Sequence, residues 1–350
     1  MRASILTIIA MVILLGASLA CAKEELRIFS WSEYMDEVEM TKAFEKKTGI
    51  KVKLDLYESN EDMMAKLQAG GLRQYDIIIP SDYILPSLIN LKLIQKLDHS
   101  KIPNLKNLFP RFRNTAFDPG NVYTVGWQWG TVGLVYNTDK IKPEEAASWS
   151  ILFDPAKKPG PFCLIDSVRD MLGITLAYLG YDYNSVNPKE LKAAADLLVE
   201  TKKRSECLGF KGGVGGKNDV ISGVAAAAVV YNGDALKAIA ENPGSIVFTV
   251  PREGGTIWVD SMCIPAEAPN PDAAHLWINW VLEAEVGAAL SNYNHYASPN
   301  EASLPFILKK DLNNPGVWPP QEIMDTLRYI KDLGADNTLV DQAWTMVKSH

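Results

Sequence analysis

From residue 26 onward the chain alternates short apolar runs with amphipathic stretches, and that rhythm limits the fold more than any other feature. Leu26–Trp31 reads as a strand, and Asp36–Thr48 as a helix closed by Gly49. Ile50–Leu56 alternates as a strand, Glu61–Ala69 reads as a helix, and Tyr75–Ile79 is a short buried strand stopped by Pro80. Strand–helix–strand order of this kind predicts an α/β domain with a mainly parallel sheet. Ligands of such sheets sit at the carboxyl ends of strands, where Trp31 and Pro80–Tyr83 fall.

The second half repeats the theme. Phe162–Ile165 is strand-like, Arg169–Leu179 is helical with Gly180 at its end, and Pro188–Lys203 is a further helix. Val224–Tyr231, Ser245–Pro251 and Thr256–Ile264 read as strands, and Asp272–Leu290 as one helix. At 350 residues the chain has room for about two domains. No fixed-period repeat and no low-complexity tether separates them, so strands crossing between the lobes are expected to join them.

Residues 1–20 read as an export signal. Arg2 supplies the positive start, and Ile5–Leu15 is apolar but too short to span a bilayer. Two processing routes follow. A small residue directly before Cys21 matches a lipoprotein box, apart from Ser18 where Leu is usual, and would make Cys21 a lipidated N-terminus. Ala20-Cys21-Ala22 also matches an A-x-A cleavage site for soluble secretion. The lipid route is favoured, because Cys rarely falls at that spot. No other apolar run reaches the roughly 18 residues of a membrane helix.

Charge and motifs exclude several classes. The net charge is −7, from 35 Lys and Arg against 42 Asp and Glu, which argues against a phosphate-tracking nucleic-acid binder. The histidines at 99, 275, 295 and 350 share no metal spacing, so no metal and no cofactor are expected. Gly212–Lys217 fails as a phosphate loop. Lys211 stands where the first Gly of GxxxxGK belongs, and Asn218 where a Ser or Thr would hold magnesium. A flexible surface loop is the better reading there. Cys163, Cys207 and Cys263 lack CxxC spacing, and one bridge with a free thiol or three buried thiols both remain open.

What remains is a recurring pairing of aromatic rings with carboxylates at strand ends. It occurs at Trp31-Ser32-Glu33-Tyr34, Ser81-Asp82-Tyr83, Tyr231-Asn232-Gly233-Asp234 and Trp258-Val259-Asp260, with Asp166 and Asp170 at a helix start. Asp166 is well placed to cap that helix. Rings cover methylenes and attract cations, and carboxylates accept charge-assisted hydrogen bonds from ammonium groups. Two such ends on an apolar wall suit a diamine or polyamine.

FSWSEY (29–34), FEKKTGIKV (44–52), YESNEDMMAKL (57–67), YDIIIPSDY (75–83), WGTVGLVYNTDKI (129–141), WSILFDP (149–155), YNGDA (231–235) and PREGGTIWVDSMCIP (251–265) resemble the bacterial polyamine-binding proteins of spermidine/putrescine ABC importers. The likeness continues through NPGVWPP (314–320) and QAWTMVKS (342–349). It implies the two-lobed periplasmic solute-binding fold of type II. Each lobe is then a mixed sheet flanked by helices, with two crossover strands between them. The implied division is 24–133 with 259–305, and 134–258 with 306–350.

The resemblance also implies roles. Trp31 and Tyr34 match the aromatic wall, Ser32 and Glu33 the first polar contacts, and Ser81 and Tyr83 the contacts after the Pro-Ser turn. Asp170 stands where the family usually has Glu, and Tyr231 where it has Trp. Asp234 matches the aspartate of putrescine-type members. Trp258 and Asp260 match the pair that covers and binds an amine, and Tyr296 another wall residue. Spermidine-type members carry a carboxylate near Ser167, which Asp166 precedes by one. The implied partners are a polyamine and an inner-membrane ABC permease, for a periplasmic, lipid-anchored monomer without enzymatic activity. The rival readings are a carboxylate-pair hydrolase and a ferric-ion binder of the same fold.

Overall fold

The computed structural model describes residues 25–32, 34–212, 214–241 and 244–350. The signal segment, Cys21 and Glu33 lie outside the described residues. Nine strands are described: β1 (Glu25–Trp31), β2 (Lys51–Tyr57), β3 (Ile77–Ile78), β4 (Thr124–Asn137), β5 (Phe162–Ile165), β6 (Cys207–Lys211), β7 (Ala227–Tyr231), β8 (Ile246–Thr249) and β9 (Ile257–Cys263). The longer helices are α1 (Glu37–Thr48), α2 (Asn60–Gln68), α3 (Val168–Tyr178), α4 (Pro188–Lys202), α5 (Gly215–Ile221), α6 (Asn232–Glu241), α7 (Pro271–Val281), α8 (Ala284–Asn294) and α9 (Asn337–Ser349).

The strands run β2-β1-β3-β9-β4-β7-β5-β6, with β8 also on β4. β1 is parallel to β2 and β3, and β5 is parallel to β6 and β7. β9 and β4 lie between these parallel sets and pair antiparallel with their neighbours, so the sheet is mixed, as the family resemblance implies, where strand–helix alternation alone pointed to a mainly parallel one. β4 links the two halves. Its residues 124–131 pair with β9, and 132–137 pair with β7 and β8. Glycines allow the crossing: a Cβ on Gly130 would lie 2.5 Å from the Trp258 ring, and one on Gly133 would lie 2.4 Å from the Thr249 carbonyl.

Local chemistry explains the helix ends. The Asp36 carboxylate accepts the Glu39 N–H at 2.9 Å at the start of α1, and Gly49 closes that helix at φ 80°. Three expectations fail here. The helix read over 272–290 is two helices, because the Leu282 carbonyl accepts from the Asn107 and Asn300 side chains at 3.0 and 2.8 Å and leaves the ladder. The glycine-rich stretch turns into α5, whose Gly216 rests against Ala228, so only its start is a loop. Ser167, not Asp166, holds the N-cap position of α3. The thiols of Cys163, Cys207 and Cys263 are all free, with Cys207 half-buried. No described helix is long and apolar enough to cross a membrane.

A buried carboxylate fixes where β4 begins. Asp118 accepts the N–H groups of Val122, Tyr123 and Thr124 at 3.1, 2.9 and 2.8 Å, and the Thr124 hydroxyl at 2.8 Å. Asp118→Ala leaves these donors without their acceptor and is expected to cost about 2–4 kcal/mol. A lowered urea midpoint with an unchanged m-value checks this, and a loss below about 0.5 kcal/mol would refute the anchoring role.

Candidate functional site

The groups brought together lie where β1, β3, β7 and β9 meet around the crossing. Trp31 ends β1, and its indole N–H donates to the Ile79 carbonyl at 2.9 Å. That carbonyl also accepts the Tyr57 hydroxyl at 2.6 Å, which places the Trp31 and Tyr57 rings 4.5 Å apart. Ser32 is exposed on the turn that follows. Tyr34 is buried next, and its hydroxyl donates to Asp260 Oδ2 at 2.6 Å. Its carbonyl is held by Asn294 Nδ2 at 2.7 Å, and Asn294 in turn exchanges hydrogen bonds with Gln128 on β4.

Asp260 lies within β9 rather than at its end. Ser81 faces it across an antiparallel bridge, and the Ser81 hydroxyl helps hold the charge. Asp260 is 6% exposed, and its Oδ1 has no hydrogen-bond partner among the described residues. Burial lifts its carboxyl to about 6, against the opposing pull of the Ser81 and Tyr34 hydroxyls. Asp82, between Ser81 and Tyr83, is also buried, and its Oδ2 has no hydrogen-bond partner among the described residues. Its carboxyl is pushed well up by burial and then by the Asp260 charge, against the pull of the Tyr83 and Val259 N–H groups. Tyr83 is half-buried, and its hydroxyl donates to Glu61 at 3.1 Å.

A second cluster forms at the start of α3. Asp170 is 3% exposed, but its oxygens are supplied. Oδ2 accepts Ser167 at 2.6 Å and Tyr231 at 3.1 Å, and Oδ1 accepts the Thr256 hydroxyl. Thr256 shares a further hydrogen bond of 2.6 Å with Tyr183. Burial raises the Asp170 carboxyl, and the three hydroxyls work against that rise. Asp166 stays outside the cluster: it is exposed and ion-paired to Lys348 at 2.9 Å.

The Trp258 ring lies between the two clusters. Its centroid is 6.1 Å from Tyr231 and 5.0 Å from Tyr296, edge-on to both. Tyr296 meets Tyr34 at 5.8 Å. Gly233, in the first turn of α6, makes room, since a Cβ there would lie 2.5 Å from the Tyr296 ring. Asp234 follows it, half-buried, and its charge acts on the Tyr296 hydroxyl, which burial already pushes far up. Most of the sequence-derived residues thus form one aromatic seam with a carboxylate cluster at each end. Sequence reasoning missed Thr256 and Tyr183, which hold Asp170, and left Asp82 without a role. Asp82 stands inside a recognised Ser-Asp-Tyr triplet, whereas Tyr183 has no local signal.

Several comparisons bear on this geometry. Residues 39–339 match the family model described as bacterial extracellular solute-binding protein. The putrescine-binding periplasmic protein SpuD of Pseudomonas aeruginosa is 33% identical over 351 residues, covering 95% of this chain and 94% of that one. The spermidine/putrescine-binding periplasmic protein of Escherichia coli is 32% identical over 338 residues, covering 96% and 95%. The TpPotD lipoprotein of Treponema pallidum superposes with a TM-score of 0.82 at 28% identity, over 93% of this chain and 100% of that one.

The raised Asp260 carboxyl carries a stability consequence. Between the ordinary aspartate value near 3.8 and about 6, the folded state binds the proton that the unfolded state has lost, so stability falls as pH rises through that window. Asp260→Asn removes that loss and is expected to stabilise the ligand-free protein by about 1–3 kcal/mol at pH 7, with no gain at pH 4. Urea titrations at both pH values check this; equal effects at the two would contradict it.

Proposed function

This chain belongs to the bacterial extracellular solute-binding proteins, and on that premise we propose that it is an extracytoplasmic polyamine receptor. It takes putrescine or spermidine into the cleft between its two lobes and delivers it to an inner-membrane ABC permease. One observation carries this reading: the Trp258–Tyr296–Tyr231 seam connects two buried carboxylate clusters, one of which has an oxygen without a partner. Methylenes lie on rings, and each terminal ammonium meets a carboxylate. The names of the relatives point to the same ligands.

The proposal includes a division into lobes at 24–133 with 259–305, and 134–258 with 306–350. The change of partners along β4, from β9 to β7 and β8, supports a hinge there. Closure removes water and strengthens each ion pair as the local dielectric falls. We place the protein in the periplasm as a monomer, held to the membrane by lipid on Cys21. The lipoprotein among the structural neighbours supports the anchor. One acyl chain anchors only marginally, so the anchor needs several. Its role is binding rather than turnover. Neither a hydrolase nor a ferric-ion binder gains support from the relatives. Among the described residues, no group of three or more His, Cys, Asp or Glu is placed to hold a metal ion. Ser167, where spermidine-type members carry a carboxylate nearby, and Asp234, matching putrescine-type members, together tilt the preference toward putrescine or dual use.

Titration calorimetry on the protein lacking residues 1–21 tests the reading, with putrescine, spermidine and hexane-1,6-diol as ligands. One-to-one binding of an amine and silence with the diol are expected. Asp260→Ala should weaken amine binding by about 2–5 kcal/mol. No heat with either amine, from folded protein freed of copurified ligand, would refute it.

A further inference from the structure

One buried acid beside the site has no role in the binding mode proposed above. Asp82 is 3% exposed; its Oδ1 accepts the Tyr83 N–H at 2.9 Å, and its Oδ2 has no hydrogen-bond partner among the described residues. Asp260 presents the same pattern, with Oδ2 taken by Tyr34 and Oδ1 unpartnered. The backbone holds the two acids near one another. Ser81 bridges directly to Asp260, and the Ser261 N–H donates to the Pro80 carbonyl at 2.9 Å, so Asp82 follows the very residue paired with Asp260.

Among the described residues, no cation compensates the pair. The groups that act on it are the Tyr83 and Val259 N–H groups on Asp82, the hydroxyls of Tyr34 after β1, Tyr57 on β2, Ser81, Tyr296 and Tyr329, and Asp170 on α3. All are backbone amides, neutral hydroxyls or a further acid. Two like charges in a water-poor place resist ionising together.

We propose that the Asp82–Asp260 pair carries a proton that the ligand's ammonium ion expels, making capture an exchange of cation for proton. This rests on the polyamine reading and adds a stoichiometry to it. The O–H bond of one carboxylic acid breaks, its electron pair stays on oxygen, and the proton leaves to the buffer before the lobes close. The ammonium keeps its own protons, because alkyl amines titrate near ~10. Nothing is oxidised or reduced. The lift of Asp260 to about 6, with Asp82 also raised, places the exchange in mildly acid media. Acidification below the pair's titration then weakens affinity by up to tenfold per pH unit, since each capture must displace a proton.

Calorimetry with putrescine at pH 6, in a series of buffers of different ionisation enthalpy, reads the exchange directly. The observed heat should vary linearly with buffer enthalpy, with a slope of about one proton released per ligand. In Asp82→Asn, read at putrescine concentrations that saturate whatever binding it keeps, that slope should fall by half or more. A slope near zero in the unaltered protein, with binding intact, overturns the exchange, and needs no variant to fold. An unchanged slope in Asp82→Asn overturns the role of the pair. Absence of binding in every buffer instead sinks the polyamine reading itself, and the exchange with it.

Discussion

The arrangement depends on a carboxyl group, Asp260, that the fold buries without a cationic partner among the described residues. Asp260 sits in the middle of β9, paired with Gln128 on one side and bridged to Ser81 on the other. Sheet pairing on both sides therefore fixes the position of its backbone. A buried carboxylate without a cationic partner costs several kcal/mol, and proteins ordinarily avoid that cost by pairing or protonation. Here the tyrosine and serine hydroxyls offset only part of it. In the proposed function a ligand cation releases the remainder on arrival, which would tie binding to the architecture of the strands.

The two acids at the ends of the seam are treated differently. Asp170 accepts three hydroxyls, so its charge is held in one orientation before any ligand arrives. Asp260 and Asp82 each keep an oxygen without a hydrogen-bond partner among the described residues. In the proposed binding mode, a diamine meets one end that is preorganised and one that is incomplete. The preorganised end lowers the ordering cost of binding, and the incomplete end supplies the larger change in electrostatic energy. The aromatic rings between them lie edge to face and are locked by Gly130 and Gly233, where any side chain would push a ring away.

Much of this was legible in the sequence, for a physical reason in each case. Apolar periodicity and capping residues gave α1, α2 and α4 nearly residue for residue, because those helices bury one face and end at Gly or a polar cap. The aromatic–carboxylate pairs pointed to the seam because ring and charge lie close along the chain. β4 was not assigned, since it is buried on both faces and so shows no alternation, and three glycines interrupt its otherwise β-prone run of valines, threonines and aromatics. The break between α7 and α8 escaped because side chains distant in sequence, Asn107 and Asn300, cause it. Tyr183 and Thr256 reach Asp170 only through the tertiary fold, and Lys348, from the far end of the chain, takes Asp166 out of the site.

Two departures from the family pattern are explained by one contact. Asp170 stands where the resemblance leads one to expect Glu, and Tyr231 where it leads one to expect Trp. A shorter carboxylate is set back toward its own helix, and a tyrosine is the smaller ring but carries a hydroxyl. That hydroxyl donates to Asp170 Oδ2 at 3.1 Å, while the Tyr231 ring still meets Trp258 edge-on at 87°. A tryptophan indole donates from a fixed point on its ring edge and has no terminal hydroxyl to reach the recessed carboxylate. A glutamate would carry its charge one methylene further out, away from Ser167 and Thr256. Each change alone would loosen the cluster. Together they bind the wall to the charge, so that the Tyr231 ring and the Asp170 carboxylate move as one unit.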